Sequence, residues 1–158
     1  MADAKGRLTR IVLDGEALHR ISALQQADRE QAVHDLAQEN EFHLPGFADL
    51  QSVLHLSIQE GRLVFDVRDE DDQPVQAVLL ALGPFKMLIR DYQMLLDSYA
   101  SAVAEGREAR IQAIDMGRRG LHNEGAELMI ERLAGKVVID FHTARRLFTL
   151  VCALHQKL

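Results

Sequence analysis

Apolar and polar positions alternate most cleanly in the middle of the chain. Leu54, Leu56 and Ile58 interleave with Val53, His55 and Ser57; after Glu60-Gly61, Leu63, Phe65 and Val67 interleave with Val64, Asp66 and Arg68. A period of two puts each aliphatic set on one side of a strand, so the segment predicts a β-hairpin turning at Glu60-Gly61. A shorter alternation from Leu8 to Leu13 predicts a first strand, with Thr9, Ile11 and Leu13 on one face. Residues Val75 to Leu82 are apolar at nearly every position, which predicts a strand covered on both faces.

The period changes after Gly83-Pro84. Proline suits the first turn of a helix, where its missing N–H is not needed. Phe85, Leu88, Ile89, Tyr92, Leu95 and Leu96 begin a stripe of helical spacing that runs to Glu105 and stops at Gly106. Upstream, Asp28 with Gln31 three residues on reads as a helix cap, opening a helix to about Glu41 that buries Ala32, Val33, Leu36 and Ala37 before Leu44-Pro45-Gly46 ends it. Beyond Arg107 a helical stretch turns Ile111 and Ile114 inward. Glu127 to Leu133 is helical again, and Lys136 to Ile139 is a short strand. Asp140 caps a last helix whose residues 147–154 are apolar almost all round. That helix is central or forms a subunit interface.

Grouped strands followed by grouped helices predict an α+β fold, an antiparallel sheet of three to four strands packed against three to five helices. With 158 residues and no linker or repeat, residues 1–158 form one globular domain. A single cysteine, Cys152, excludes an internal disulfide and a cysteine-rich zinc site, and its apolar surroundings predict an inert thiol. No apolar stretch nears the ~20 residues of a membrane span, and the N-terminal Met1–Arg7 lacks the apolar segment of a secretory signal. A cytoplasmic protein is expected.

Charge is uneven. Residues 28–72 hold three basic and twelve acidic groups, a net of −9, while residues 83–158 hold eleven basic and nine acidic groups, a net of +2. The overall charge of −6 disfavours nucleic acid as a partner unless the C-terminal arginines cluster on one face, because such a surface repels phosphate backbones. Several motifs fail on inspection. Asp69-x-Asp71-x-Gln73 starts like a calcium loop, but Pro74 stands where glycine is needed and Leu80 where a carboxylate is needed. No two of the seven histidines lie four apart, and no phosphate-binding glycine loop or Gly-x-Ser-x-Gly elbow occurs. No metal and no cofactor is expected.

One segment, Ile114 to Gly125, concentrates chemistry. Gly117, Gly120 and Gly125 would each cost ~1 kcal/mol against alanine in a helix interior, which predicts a bend or loop between Gly117 and Gly125. An unbroken helix would instead set Arg118 on the stripe of Ile111, Ile114, Leu121 and Leu128, where a guanidinium demands a carboxylate or an anion. Arg118 and Arg119 are candidates to clamp a carboxylate or phosphate through forked donors. His122 is a candidate proton carrier, oriented by Glu124 or Asp115, with Asn123 beside it. The purely structural alternative pairs Asp115 with Arg119, four apart. Arg145 and Arg146, near the start of the last helix, are secondary candidates for anion contact or for pairing with the acidic half.

Three stretches resemble a known family: Arg62 to Glu70, Ala113 to Gly125 and Val138 to Leu150. Through them the chain resembles uncharacterised protein family 0262, a set of short soluble bacterial proteins, over nearly its whole length. Residues 15–27 and 44–52 match that pattern least. The resemblance implies no activity, substrate, cofactor or catalytic residue. Two functions are therefore expected to compete. One is a cytosolic interaction or regulatory protein, acting as a homo-oligomer or through a protein partner, suggested by the apolar last helix and the acidic segment. The other is a small enzyme or binding protein for an anionic metabolite, built on Asp115, Arg118, Arg119, His122, Asn123 and Glu124.

Overall fold

The computed structural model describes residues 6–15 and 22–155. Ten elements follow in order: β1 (Arg7–Leu13), α1 (Ala23–Gln38), β2 (Phe42–His43), β3 (Gln51–Gln59), β4 (Arg62–Arg68), β5 (Pro74–Ala81), α2 (Gly83–Glu105), α3 (Glu108–Leu133), β6 (Val138–Ile139) and α4 (Phe141–Leu154). The fold is α+β. Its main sheet has the order β1-β3-β4-β5, and β2 pairs with β6 in a small antiparallel ladder.

The β3–β4 hairpin turns where its sequence demands. Glu60 and Gly61 both have positive φ, 52° and 73°, the conformation of a two-residue turn whose twist matches its strands. Leu56 then faces Phe65 and Leu54 faces Val67, all fully buried beneath the helices. The sheet is mixed rather than wholly antiparallel, because β1 joins β3 in parallel. A parallel neighbour needs a long crossover, and α1 lies in it.

β5 departs from expectation. It is an edge strand, and although Val78 and Leu80 are buried, Ala77, Leu79 and Ala81 are exposed, Leu79 at 47%. Its second face is not covered by any described element; small and aliphatic residues there satisfy strand propensity, not burial. Helix α1 also begins earlier than the Asp28–Gln31 pattern suggests. Ser22 is its N-cap, the hydroxyl accepting from the Gln25 amide at 3.1 Å. Asp28 therefore lies more than a turn inside the helix and is free for another task.

The glycine-bearing segment is helical throughout. α3 runs unbroken for 26 residues, so no bend or loop separates Gly117 from Gly125. Packing supplies the reason. A Cβ on Gly125 would stand 2.3 Å from the Phe148 ring, so the missing side chain lets α4 lie close against α3. The penalty at Gly125, ~1 kcal/mol, is smaller than what burying a phenylalanine contributes, about 1.5–3 kcal/mol. α4 occupies the centre of the molecule. Leu147 to Ala153 are all buried, in contact with α1, α3 and the sheet. The apolar surplus of the last helix is thereby consumed within the chain. Among the described residues no helix is long and apolar enough to cross a membrane.

Candidate functional site

Helices α1, α3 and α4 enclose a cleft of about 230 Å³. Its cationic wall is Arg118 and Arg119 from α3 and Arg145 and Arg146 from α4; the facing wall is Asp28, Gln31 and Asp35 from α1; His122 and Thr149 complete it. The last helix brings its two arginines here because Asp140 starts it cleanly. The Asp140 carboxylate accepts from the Thr143 amide at 2.8 Å, which sets the phase of every residue that follows.

Arg118 forms the floor. It is 16% exposed and donates to two carboxylates, Asp28 and Asp115. Asp28, 12% exposed, also accepts from the Tyr92 hydroxyl at 2.6 Å. The unbroken helix thus carries a buried guanidinium and supplies the carboxylates it demands. Burial opposes the charge on Arg118, but Asp115 and Asp28 outweigh it and hold its pKa above the ordinary value. Hydrogen bonding from Arg118 in turn holds Asp115 below the usual carboxylate range. Burial and the adjacent Asp28 push Tyr92 well up, so its hydroxyl stays protonated and serves as a donor.

The other three arginines are less committed. Arg119 is 69% exposed and its Nε lies 3.2 Å from Asp115. Arg146 donates to the Glu39 carbonyl at 3.2 Å and stands 3.8 Å from Asp35. Arg145 has no carboxylate partner among the described residues; its Nε donates to Asn123 Oδ1 at 3.1 Å. Burial, then repulsion from Arg118, lowers the Arg145 pKa, the signature of a cation held where cations are already present.

His122 is 3% exposed and stacked beside Tyr92, ring centroids 5.2 Å apart, with the Phe148 ring edge-on at 6.4 Å. Burial pushes its pKa down to about 4, so the imidazole is neutral at physiological pH. Its Nε2 is buried with no hydrogen-bond partner among the described residues, and so is Arg118 Nε. Two buried donors or acceptors of this kind beside a cationic cleft are costly unless something enters to meet them.

The structure gathers Arg118, Arg119, His122, Arg145 and Arg146 into one cleft and sets Asp115 at its edge as the shared partner of two arginines. Asn123 is exposed and acts only by holding Arg145. Glu124 is exposed and lines no part of the cleft. Neither Glu124 nor Asp115 orients His122, since Asp115 is occupied by arginines and Glu124 points elsewhere by the helical repeat. Asp28, Asp35 and Tyr92 were not legible as site residues. Asp28 resembles a helix cap in sequence, and Tyr92 is one apolar position in a long stripe. Among the described residues no cluster of three or more histidine, cysteine or acidic side chains is arranged to hold a metal.

Comparison with known proteins gives a family and no chemistry. Residues 5–157 match the Uncharacterised protein family (UPF0262). A UPF0262 protein of Acidiphilium cryptum is 65% identical over 156 residues, covering 99% of this chain and 96% of that protein. One from Granulibacter bethesdensis is 62% identical over a 163-residue alignment, covering 98% and 93%. Another from Rhodospirillum rubrum is 52% identical over 130 residues, covering 82% and 80%. None of these names states an activity, and no solved structure matches. On the extent and identity of these matches, the chain belongs to the bacterial UPF0262 family.

Proposed function

We propose that the α1/α3/α4 cleft binds a small anionic metabolite and that this is the working site of a cytoplasmic protein. The observation that carries the reading is Arg145, a half-buried guanidinium with no carboxylate partner among the described residues, converging with three other arginines on one cleft. Unpaired buried charge is expensive, and an anion is the partner that would relieve it. Any ligand that binds the native state alone raises the melting temperature, by RT ln(1 + [L]/Kd) in stability. Sulfate, phosphate and small carboxylates are expected to raise the melting temperature of the wild-type protein, and Arg145→Ala is expected to remove the rise while remaining folded. An equal rise in Arg145→Ala would refute the reading.

A second reading has its own support. Met87 and Met94 on α2 and Met116 on α3 are 63%, 60% and 74% exposed. Methionines adapt to varied partners and are unusual as large exposed side chains, which favours a protein-binding face on these two helices. Light scattering of the protein at micromolar concentration tests self-association. A monomer that stays monomeric, and a Met94→Gln/Met116→Gln variant that captures the same proteins from a lysate, would dismiss it.

A further inference from the structure

Accepting that the cleft binds anions, we infer that its ligand is a doubly charged tetrahedral oxyanion, a small phosphate monoester, and that His122 takes up a proton as the ligand binds.

Geometry sets the number of acceptors. Arg118 commits one N–H of each terminal nitrogen to Asp28 and Asp115, and its Nε is buried. Arg119 and Arg145 each use only Nε, which leaves both terminal nitrogens of each guanidinium for a ligand. Those donors come from two helices, and His122, whose Nε2 is buried, lines the same cleft. A carboxylate offers two oxygens in one plane. A phosphate monoester offers three, splayed in different directions, and can meet the α3 wall, the α4 wall and the floor together. The cleft, at about 230 Å³, suits a phosphate with a few carbon atoms rather than a phosphorylated segment of another protein.

Charge sets the proton. Four guanidiniums and two carboxylates, Asp28 and Asp35, line the cleft, and Asp115 outside the lining pairs with Arg118 and Arg119, so with His122 neutral the whole group carries one net positive charge. A dianion reverses that to one net negative charge in a partly buried space. A proton on His122 restores balance. The groups that face the imidazole are Asp28 from α1, Tyr92 from α2, Arg118 from its own helix and Arg145 from α4. Burial above all, with Arg145 and Arg118 adding to it against Asp28, keeps the ring neutral before a ligand binds. One negative charge at about 4 Å, in a medium of effective dielectric about 20, shifts a proton equilibrium about a thousandfold. That is enough to carry His122 from a pKa of about 4 to near neutrality. No other described histidine lines this cleft.

Sulfate is the direct probe, being tetrahedral and doubly charged with no proton of its own near neutral pH. Calorimetric titration of the full chain at pH 6.5, in two cationic buffers of different ionisation enthalpy, reads protons taken up per anion bound. Wild-type protein is expected to take up between a half and one proton with sulfate and to bind nitrate, planar and singly charged, at least tenfold more weakly. His122→Gln is expected to bind sulfate with no proton uptake, and methyl phosphate is expected to bind at least as tightly as sulfate. Should His122→Gln not fold, the imidazole 15N shifts of wild-type protein with and without sulfate report the same protonation. Sulfate binding without proton uptake, or nitrate binding as tightly as sulfate, overturns this inference and leaves the anion site standing. Failure of every anion to bind, or binding undiminished in Arg145→Ala, removes the site itself.

Discussion

On the open face of the sheet, Arg68 donates to Asp66 at 2.8 Å and to Asp72 at 2.9 Å; in the cleft, Arg118 likewise reaches two carboxylates, Asp28 and Asp115. The pairings look alike, but their surroundings differ. The sheet cluster adds Arg10, 3.6 Å from Asp72, and His55, 3.1 Å from Asp72 and 3.5 Å from Asp14. Two arginines and a histidine there meet three carboxylates, and Arg10, Asp14 and Asp72 are 57%, 54% and 44% exposed. The cleft is lined by four arginines and two carboxylates, with Asp115 pairing to two of those arginines from outside the lining, and its histidine is buried. A solvent-exposed cluster in which each arginine has a carboxylate satisfies itself. A cationic surplus around buried, unpartnered nitrogens does not, and that difference is what makes one cluster a surface network and the other a candidate site.

The sharpest way to break this comparison is to remove one arginine from each cluster. Arg118→Leu leaves Asp28 buried with the Tyr92 hydroxyl as its remaining partner, and is expected to cost about 3 kcal/mol or more in urea unfolding. Arg68→Leu is expected to leave the unfolding midpoint nearly where it was, because water replaces the lost partner. Equal losses would mean that the two clusters are energetically the same.

The buried histidine gives the next largest effect. The folded pKa of His122 lies near 4, below the 6.5 of an unfolded histidine, so the unfolded chain binds its proton first as pH falls. Stability is therefore lost progressively from about pH 6.5 down to about pH 4, by up to about 3 kcal/mol, and is fully present above that window. Denaturant titrations across this range in wild type and His122→Gln test it. The variant's profile is expected to be flatter there, and an unchanged slope would show that the imidazole is not buried neutral.

Two glycine substitutions separate packing from propensity within one helix. Gly125→Ala drives a methyl group into the Phe148 ring and is expected to destabilise by about 1–3 kcal/mol despite a better helix former. Gly120→Ala, with nothing within 4 Å of the new Cβ, is expected to stabilise by up to about 1 kcal/mol. Thermal melts read both signs. The smallest effect belongs to Leu79→Lys on the uncovered face of β5, expected within about 0.5 kcal/mol of wild type in the same melts; a large loss would mean that this face is covered after all.

Much of the fold was legible in the chain. The β3–β4 alternation, the Glu60-Gly61 turn, the proline-initiated α2, its stop at Gly106 and the Asp140 cap of α4 each follow from a local rule, and each stands where the rule places it. Readings failed where two rules competed. Asp28 has the spacing of a cap, but Ser22 caps α1 and Asp28 turns to Arg118. Val75 to Leu82 has the composition of a doubly covered strand, yet lies at an edge. The three glycines of α3 read as breakers, yet the helix continues because α4 packs against it.

The candidate site divides the same way. Arg118, Arg119 and His122 were visible as a chemically dense segment, and an unbroken helix there already required a carboxylate or an anion for Arg118. That the carboxylate is Asp28, ninety residues away, is not written in any local pattern. Nor is the arrival of Arg145 and Arg146 beside Arg118 and Arg119, nor the burial of His122. Periodicity, caps and turns act over a few residues, so the chain alone determined its elements, its class and its strongest chemical segment. Which side chains meet depends on how helices far apart in sequence pack, and packing responds to shape and burial summed over the whole core. Only the tertiary structure could turn four scattered arginines and one histidine into a single cleft.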